Sequence, residues 1–429
     1  MTQQHFQRSV LPAGLRVVTQ QLPASRSASV GMWVAVGSRD EPTAVAGAAH
    51  YLEHLLFKGT ARRSAVVIAQ EIDAVGGELN AFTTKEHTCY YAHVLDSDLE
   101  FAVDLVCDVL GNALLEPAEV DIERGVVLEE IAMRDDDPED AVHDEFCAAL
   151  FGSHPLGLPV LGTEESVTGM SREALHRFYR RRYTPERMVL TVAGNVTHGA
   201  VLAAVDHSFG LHLTGCAQPV PPRRGQATIT DQRALALCTD SSEQAHLLLG
   251  VQALDRHDER RYVLGVLNAA LGGGMSSRLF QQVREQRGLA YSVYSAVDTY
   301  ADLGSLSIYV GCSPSRLGEV AVVVGDVLAE LARDGLSETE LTRGKGQLRG
   351  GLVLGLEDAP SWMIRLGTAE LGYGEHPTVA RELQRIDAVT AEQVGELARE
   401  LLRRPITAAV VGPYAQVEDL PDEIAELVK

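Results

Sequence analysis

One apolar strand pattern occurs twice in this chain, half its length apart, and it limits the fold more than any other feature. Arg187-Met188-Val189-Leu190-Thr191-Val192-Ala193-Gly194 is a run of β-formers that stops at glycine. Pro405-Ile406-Thr407-Ala408-Ala409-Val410-Val411-Gly412 is another. The glycines are 412 − 194 = 218 residues apart in a chain of 429. Apolar strands also open the two halves, at Ser29–Val36 and Ala245–Val251. A chain this long exceeds one hydrophobic core, and a repeat at half its length reads as two copies of one domain. The Pro/Gly/Arg-rich stretch Gln218–Gly225 has linker composition. The expected division is therefore 1–217, a linker at 218–225, and 226–429.

Within each half, strands come first and helices follow. Helical signals run over 98–114, 117–134 and 171–182, then over 257–271, 315–334, 336–356 and 390–404. Pro117 and the acidic residues after it fit a helix start. This order argues for an α+β fold rather than a doubly wound one. Each domain is expected to be a mostly antiparallel sheet packed with helices on one face.

The chemistry is concentrated in His50-Tyr51-Leu52-Glu53-His54. Histidines at i and i+4 lie about 6 Å apart along a helix and about 40° apart around it, so both imidazoles reach one metal ion. Glu53 shares their face, beside any water that ion holds. A third ligand is still needed, and the run 121–134 offers one. Glu123 and Glu130 are seven residues apart there, almost two turns, and so face the same way. The residues between them are apolar enough to bury that helix, and a buried carboxylate needs a partner. Two imidazoles and one carboxylate form a known catalytic zinc set that leaves the fourth position open for water.

His50, His54 and Glu130, with Glu123 seven residues earlier, resemble the zinc site of the pitrilysin/insulinase family of metallopeptidases. The His-x-x-Glu-His order is the inverted form of the zinc-peptidase helix motif. Phe57-Lys58-Gly59-Thr60 follows the histidine helix as in that family. Gly77-Glu78-Leu79-Asn80-Ala81-Phe82-Thr83 is similar to its substrate-pairing strand. Arg284-Glu285 and Gly288-Leu289-Ala290-Tyr291 resemble its C-terminal signature. The likeness spans essentially the whole chain and is to the short bacterial type, similar to the catalytic subunit of mitochondrial processing peptidase.

The resemblance implies a zinc endopeptidase with one Zn2+ per chain, held by His50, His54 and Glu130. Glu53 and Glu123 are then the catalytic carboxylates, Glu53 as general base and Glu123 behind the histidines. Asn80, Ala81, Arg284 and Tyr291 become substrate contacts, with the peptide held in a closed chamber. Long relatives carry four such domains in one chain and this one carries two. A symmetric homodimer is the simplest completion, and a heterodimer with a related subunit is the other. Some relatives are noncatalytic scaffold subunits that have lost the zinc residues. The intact His50, Glu53, His54 and Glu130 argue against that alternative.

Charge and composition narrow the remaining classes. The formal charge is 37 − 59 = −22, which argues against the basic face that nucleic acid needs. Residues 1–22 alternate polar and apolar types without a long apolar run, so neither a signal peptide nor a membrane helix is expected. The six cysteines are scattered, which points to reduced thiols and a cytoplasmic protein. Gly272-Gly273-Gly274 lacks the Gly-Lys-Ser/Thr ending of a nucleotide loop. It reads as a turn or a flexible substrate guide.

Overall fold

The structure is a computed structural model and describes residues 6–428. Residues 1–5 and 429, the outer ends of the two expected domains, lie outside the described residues. Eleven strands form two sheets among the described residues. The first sheet holds β1 (Phe6–Val10), β2 (Arg16–Gln21), β3 (Ser27–Val34), β4 (Glu78–Thr83), β5 (Thr88–Leu95) and β6 (Met188–Gly194). The second holds β7 (Leu235–Thr239), β8 (Ala245–Ala253), β9 (Ala290–Thr299), β10 (Gly304–Cys312) and β11 (Thr407–Gly412).

The strand orders repeat. The first sheet runs β1-β2-β6-β3-β5-β4 and the second β7-β11-β8-β10-β9. Each has one parallel pair, β2 with β6 and β7 with β11, and is otherwise antiparallel. β3 starts at Ser27 and β8 at Ala245, again 245 − 27 = 218 residues apart. The fold is two α+β units with mixed sheets, and the repeated glycines end β6 and β11.

Helices cover both faces of each sheet, not one. In the first sheet Val30, Met32 and Val34 point into the main core. Trp33, between them, points the other way and packs on Ala359, Met363 and Leu366 of the helix Ala359–Gly372. A Cβ on Gly367 of that helix would lie 2.0 Å from the Trp33 ring, so only glycine permits this approach. In the second sheet Leu247, Leu249 and Val251 face one core. Leu248, Ala409 and Val411 face another, built on Val142, Phe146 and Leu150 of the helix Pro138–Phe151.

Each unit thus takes a helix from the opposite half of the sequence. One compact unit comprises Met1–Ile131, Leu158–Pro222 and Gly355–His376. The other comprises Ala132–Gly157, Arg223–Leu354 and Pro377–Lys429. These units differ from the contiguous halves of the sequence reading by the exchanged segments. The physical reason is coverage: a sheet apolar on both faces needs a second layer of helix. Among the described residues no helix is long and apolar enough to cross a membrane.

Candidate metal centre

Ala48–Leu56 forms the histidine helix, and its sequence of alanines and leucines favours one. Its first N–H groups need acceptors, and Gly47 before it supplies no side chain. Glu41 caps it instead. Its two carboxylate oxygens accept from the Gly47 and Ala49 N–H groups, each at 2.6 Å. Burial pushes the Glu41 carboxyl up to about 8, against the pull of these two bonds. Gly47 takes φ +89°, the left-handed conformation, at this entry. Tyr51, Leu52, Leu55 and Leu56 are buried on one face, which leaves His50, Glu53 and His54 half-buried on the other.

Pro117–Asp135 forms the helix that brings the carboxylates. Val120, Glu123, Val127 and Ile131 are its buried strip. The expectation that this helix is generally buried is wrong. Ile122, Val126 and Met133 are exposed, at 59%, 40% and 71%, because only one strip meets the core. The Tyr51 hydroxyl donates to the Val120 carbonyl, and Arg124 lies 5.9 Å from the Tyr51 ring centre. These contacts lock the helix to the histidine helix.

The three expected ligands converge. Glu130 Oε2 is 3.5 Å from His50 Nε2 and 3.4 Å from His54 Nε2. No other group of three or more His, Cys, Asp or Glu side chains among the described residues is placed to hold a metal. Donors about 2.0–2.1 Å from a tetrahedral zinc stand about 3.4 Å from one another. Glu130 Oε2 is buried and accepts no hydrogen bond from the described residues, so it has the lone pairs a cation would use. Burial, aided by nearby His54, pushes His50 down to about 4, leaving it as the neutral ligand form. The donor set therefore fits a zinc ion.

Around these ligands lie positioning groups. Glu123, only 3% exposed, accepts from His54 Nδ1 at 3.2 Å and pairs with Lys58 Nζ at 2.6 Å. His50 Nδ1 is buried with no such partner among the described residues. Glu53 Oε2 accepts from the Thr83 hydroxyl at 2.6 Å. Burial raises the Glu53 carboxyl above its ordinary value; Thr83 and His54 oppose this and Glu130 adds to it. The sequence reading assigned no role to Thr83, Lys58 or Glu41. The signal for Thr83 was its place in the strand motif, and for Lys58 its place just after the histidine helix.

Asn80 and Ala81 lie on β4, the edge strand of its sheet. They pair with Tyr91 and Tyr90 of β5, and among the described residues β4 has no strand on its other side. The Ala81 N–H donates to Asn80 Oδ1 at 2.8 Å. Arg284 and Tyr291 come together in the second unit. Arg284 Nη1 donates to the Tyr291 carbonyl at 3.0 Å. Its guanidinium lies 4.6 Å from the Tyr291 ring centre and 4.8 Å from that of Phe280, a residue the sequence reading did not single out. Tyr291 is 82% exposed. Gly272–Gly274 is held by the Gln347 side-chain amide, which donates to the Gly273 carbonyl.

Comparison with known proteins gives one family. The profile of insulinase, peptidase family M16, matches residues 16–164. That of the peptidase M16 inactive domain matches residues 169–348. An uncharacterized zinc protease of Mycobacterium leprae is 59% identical over 98% of this chain and 95% of its own length. An uncharacterized zinc protease of Bacillus subtilis is 41% identical, over 93% and 96%. A crystal structure of a protease from Helicobacter pylori superposes with a TM-score of 0.87 at 21% identity, covering 95% of this chain and 99% of that one.

Proposed function

As the chain belongs to peptidase family M16, the insulinase-like peptidases, we propose that it is a zinc-dependent endopeptidase. Its substrates are peptides or unfolded segments held in a closed chamber. The observation that carries this reading is the meeting of His50, His54 and Glu130 beside Glu53.

His50, His54 and Glu130 hold one zinc ion per chain. When bound there, zinc supplies Lewis-acid polarisation of the peptide carbonyl and acidifies a water. Glu53 takes the proton of the attacking water at the oxygen that Thr83 does not engage, then returns it to the leaving amine. Its raised pKa suits a group that must both accept and donate. Glu123 fixes the His54 ring through Nδ1. An extended peptide adds to the open edge of β4 at Asn80 and Ala81, where main-chain bonds accept any sequence. Arg284 and Tyr291 donate to peptide carbonyls.

The test is cleavage of a mixed peptide library read by mass spectrometry. Zinc-loaded protein is expected to cut internal bonds; a chelator abolishes cutting and added zinc restores it. A library left intact by the zinc-loaded protein would favour a noncatalytic subunit instead. We also propose that the chain works as a homodimer. Light scattering is expected to give twice 46.3 kDa, and a monomer with full activity would remove that proposal.

A further inference from the structure

We infer that the first unit carries a second binding site, for a small amphiphilic anion. The site is a cavity of about 600 Å³ behind the entry to the histidine helix. Pro42, Ala44, Val45 and Phe178 form its apolar part, and Arg177, Arg181, Arg182 and Arg187 also line it. Volume and composition are those of a small-molecule site, apolar with a few polar groups that fix orientation.

The arginines are the unusual feature. This chain carries 59 acidic residues against 37 basic ones, yet four arginines line one cavity. Basic side chains in the last turn of a helix are ordinarily explained by the helix dipole, and Arg181 and Arg182 end the helix Arg172–Arg182. That explanation does not reach Arg177, one turn further back, or Arg187, which comes from the next turn of chain. Among the described residues, Arg182 donates to the Asp40 carbonyl at 3.1 Å. Three neighbouring carboxylates have other partners. Glu41 holds the Gly47 and Ala49 N–H groups, Asp40 accepts from the Gly37 N–H, and Glu186 accepts from the Thr184 hydroxyl.

Four arginine side chains lining an apolar floor suit an anionic head on an apolar body. Arginine binds phosphate and carboxylate heads bidentately, and the floor buries the attached chain. A bare anion would leave Phe178 and Val45 unused, and a neutral amphiphile would leave the four arginine charges unused. The site is separate from the metal ligands, so its test is independent of peptidase activity.

The experiment is isothermal titration calorimetry of the full chain with octyl phosphate, inorganic phosphate and octyl glucoside, all below micelle-forming concentration. Octyl phosphate is expected to bind at least tenfold more tightly than either of the others. The double variant R177E/R181E changes two exposed side chains, and its melting curve is expected to match the native one. It should weaken octyl phosphate at least tenfold. Should the charge reversal disturb folding, R177Q/R181Q makes the same comparison. Equal affinity for inorganic phosphate overturns the amphiphile assignment. No binding of octyl phosphate, or unchanged binding in a folded variant, overturns the site.

Discussion

Glu53→Gln is expected to retain zinc at one per chain and to lose peptide cleavage by about 10²- to 10⁴-fold, the usual contribution of a positioned general base. The substitution is nearly isosteric. A glutamine oxygen can still accept the Thr83 hydroxyl that now meets Glu53 Oε2 at 2.6 Å, so the side chain keeps its place. It loses the carboxylate charge and with it the capacity to take a proton. Glu53 is not among the residues that close on the metal position, which is why occupancy should survive. The loss should fall on kcat, because the interaction removed is one made in the transition state. Metal content by mass spectrometry and single-turnover cleavage check both halves. Equal cleavage by the two proteins would remove Glu53 from the mechanism, and loss of zinc would make it a ligand.

Local periodicity made the metal centre legible. His50, Glu53 and His54 are within one helical turn or little more, so their common face follows from helix geometry alone. Glu123 and Glu130 share a face for the same reason, two turns apart. What periodicity cannot show is how two such faces are brought together. Tyr51 does this through the Val120 carbonyl across 69 residues of sequence, and Thr83 reaches Glu53 across 30. Those contacts depend on tertiary packing, to which a pattern within one element is blind. Glu41 left a fainter trace. The histidine helix has no Ser, Thr, Asp or Asn at its entry, so its first N–H groups had to be satisfied from elsewhere.

The exchanged helices follow the same division. That the first sheet needs helix on both faces was written in residues 30–36, an apolar run without alternation, and every β3 residue after Ser27 is buried. An uninterrupted apolar run is the mark of a strand covered on both sides, whereas alternation marks one exposed face. The expectation of helices on one face passed over that signal. Which helix supplies the second layer was not legible. Nothing in the 359–372 segment itself names Trp33 as its partner, and the close approach rests on Gly367, whose role is visible only in contact.

Glu123→Gln is expected to behave differently from Glu53→Gln, weakening zinc binding about 10- to 100-fold while sparing the chemistry of the loaded enzyme. In free energy that is about 1.4–2.7 kcal/mol. Glu123 is 3% exposed, and its oxygens are divided between His54 Nδ1 and Lys58 Nζ. The carboxylate holds the His54 ring so that Nε2 faces Glu130, and its charge makes that nitrogen a better donor to a cation. Glutamine keeps one acceptor but no charge, and its amide must choose between the ring and the lysine. Lys58 is 34% exposed and can turn to water, so folding should tolerate the change. The effect should be large because among the described residues His50 Nδ1 has no partner, and Glu123 is the outer carboxylate that orients a ligand histidine. Competition with a chromophoric chelator measures the affinity. At limiting zinc, cleavage should fall with occupancy, and excess zinc should restore it, which it cannot do for Glu53→Gln. Superimposable zinc titrations of native and variant protein would show that His54 does not depend on Glu123 for its orientation. Full occupancy without recovery of cleavage would instead place Glu123 in the chemical step beside Glu53.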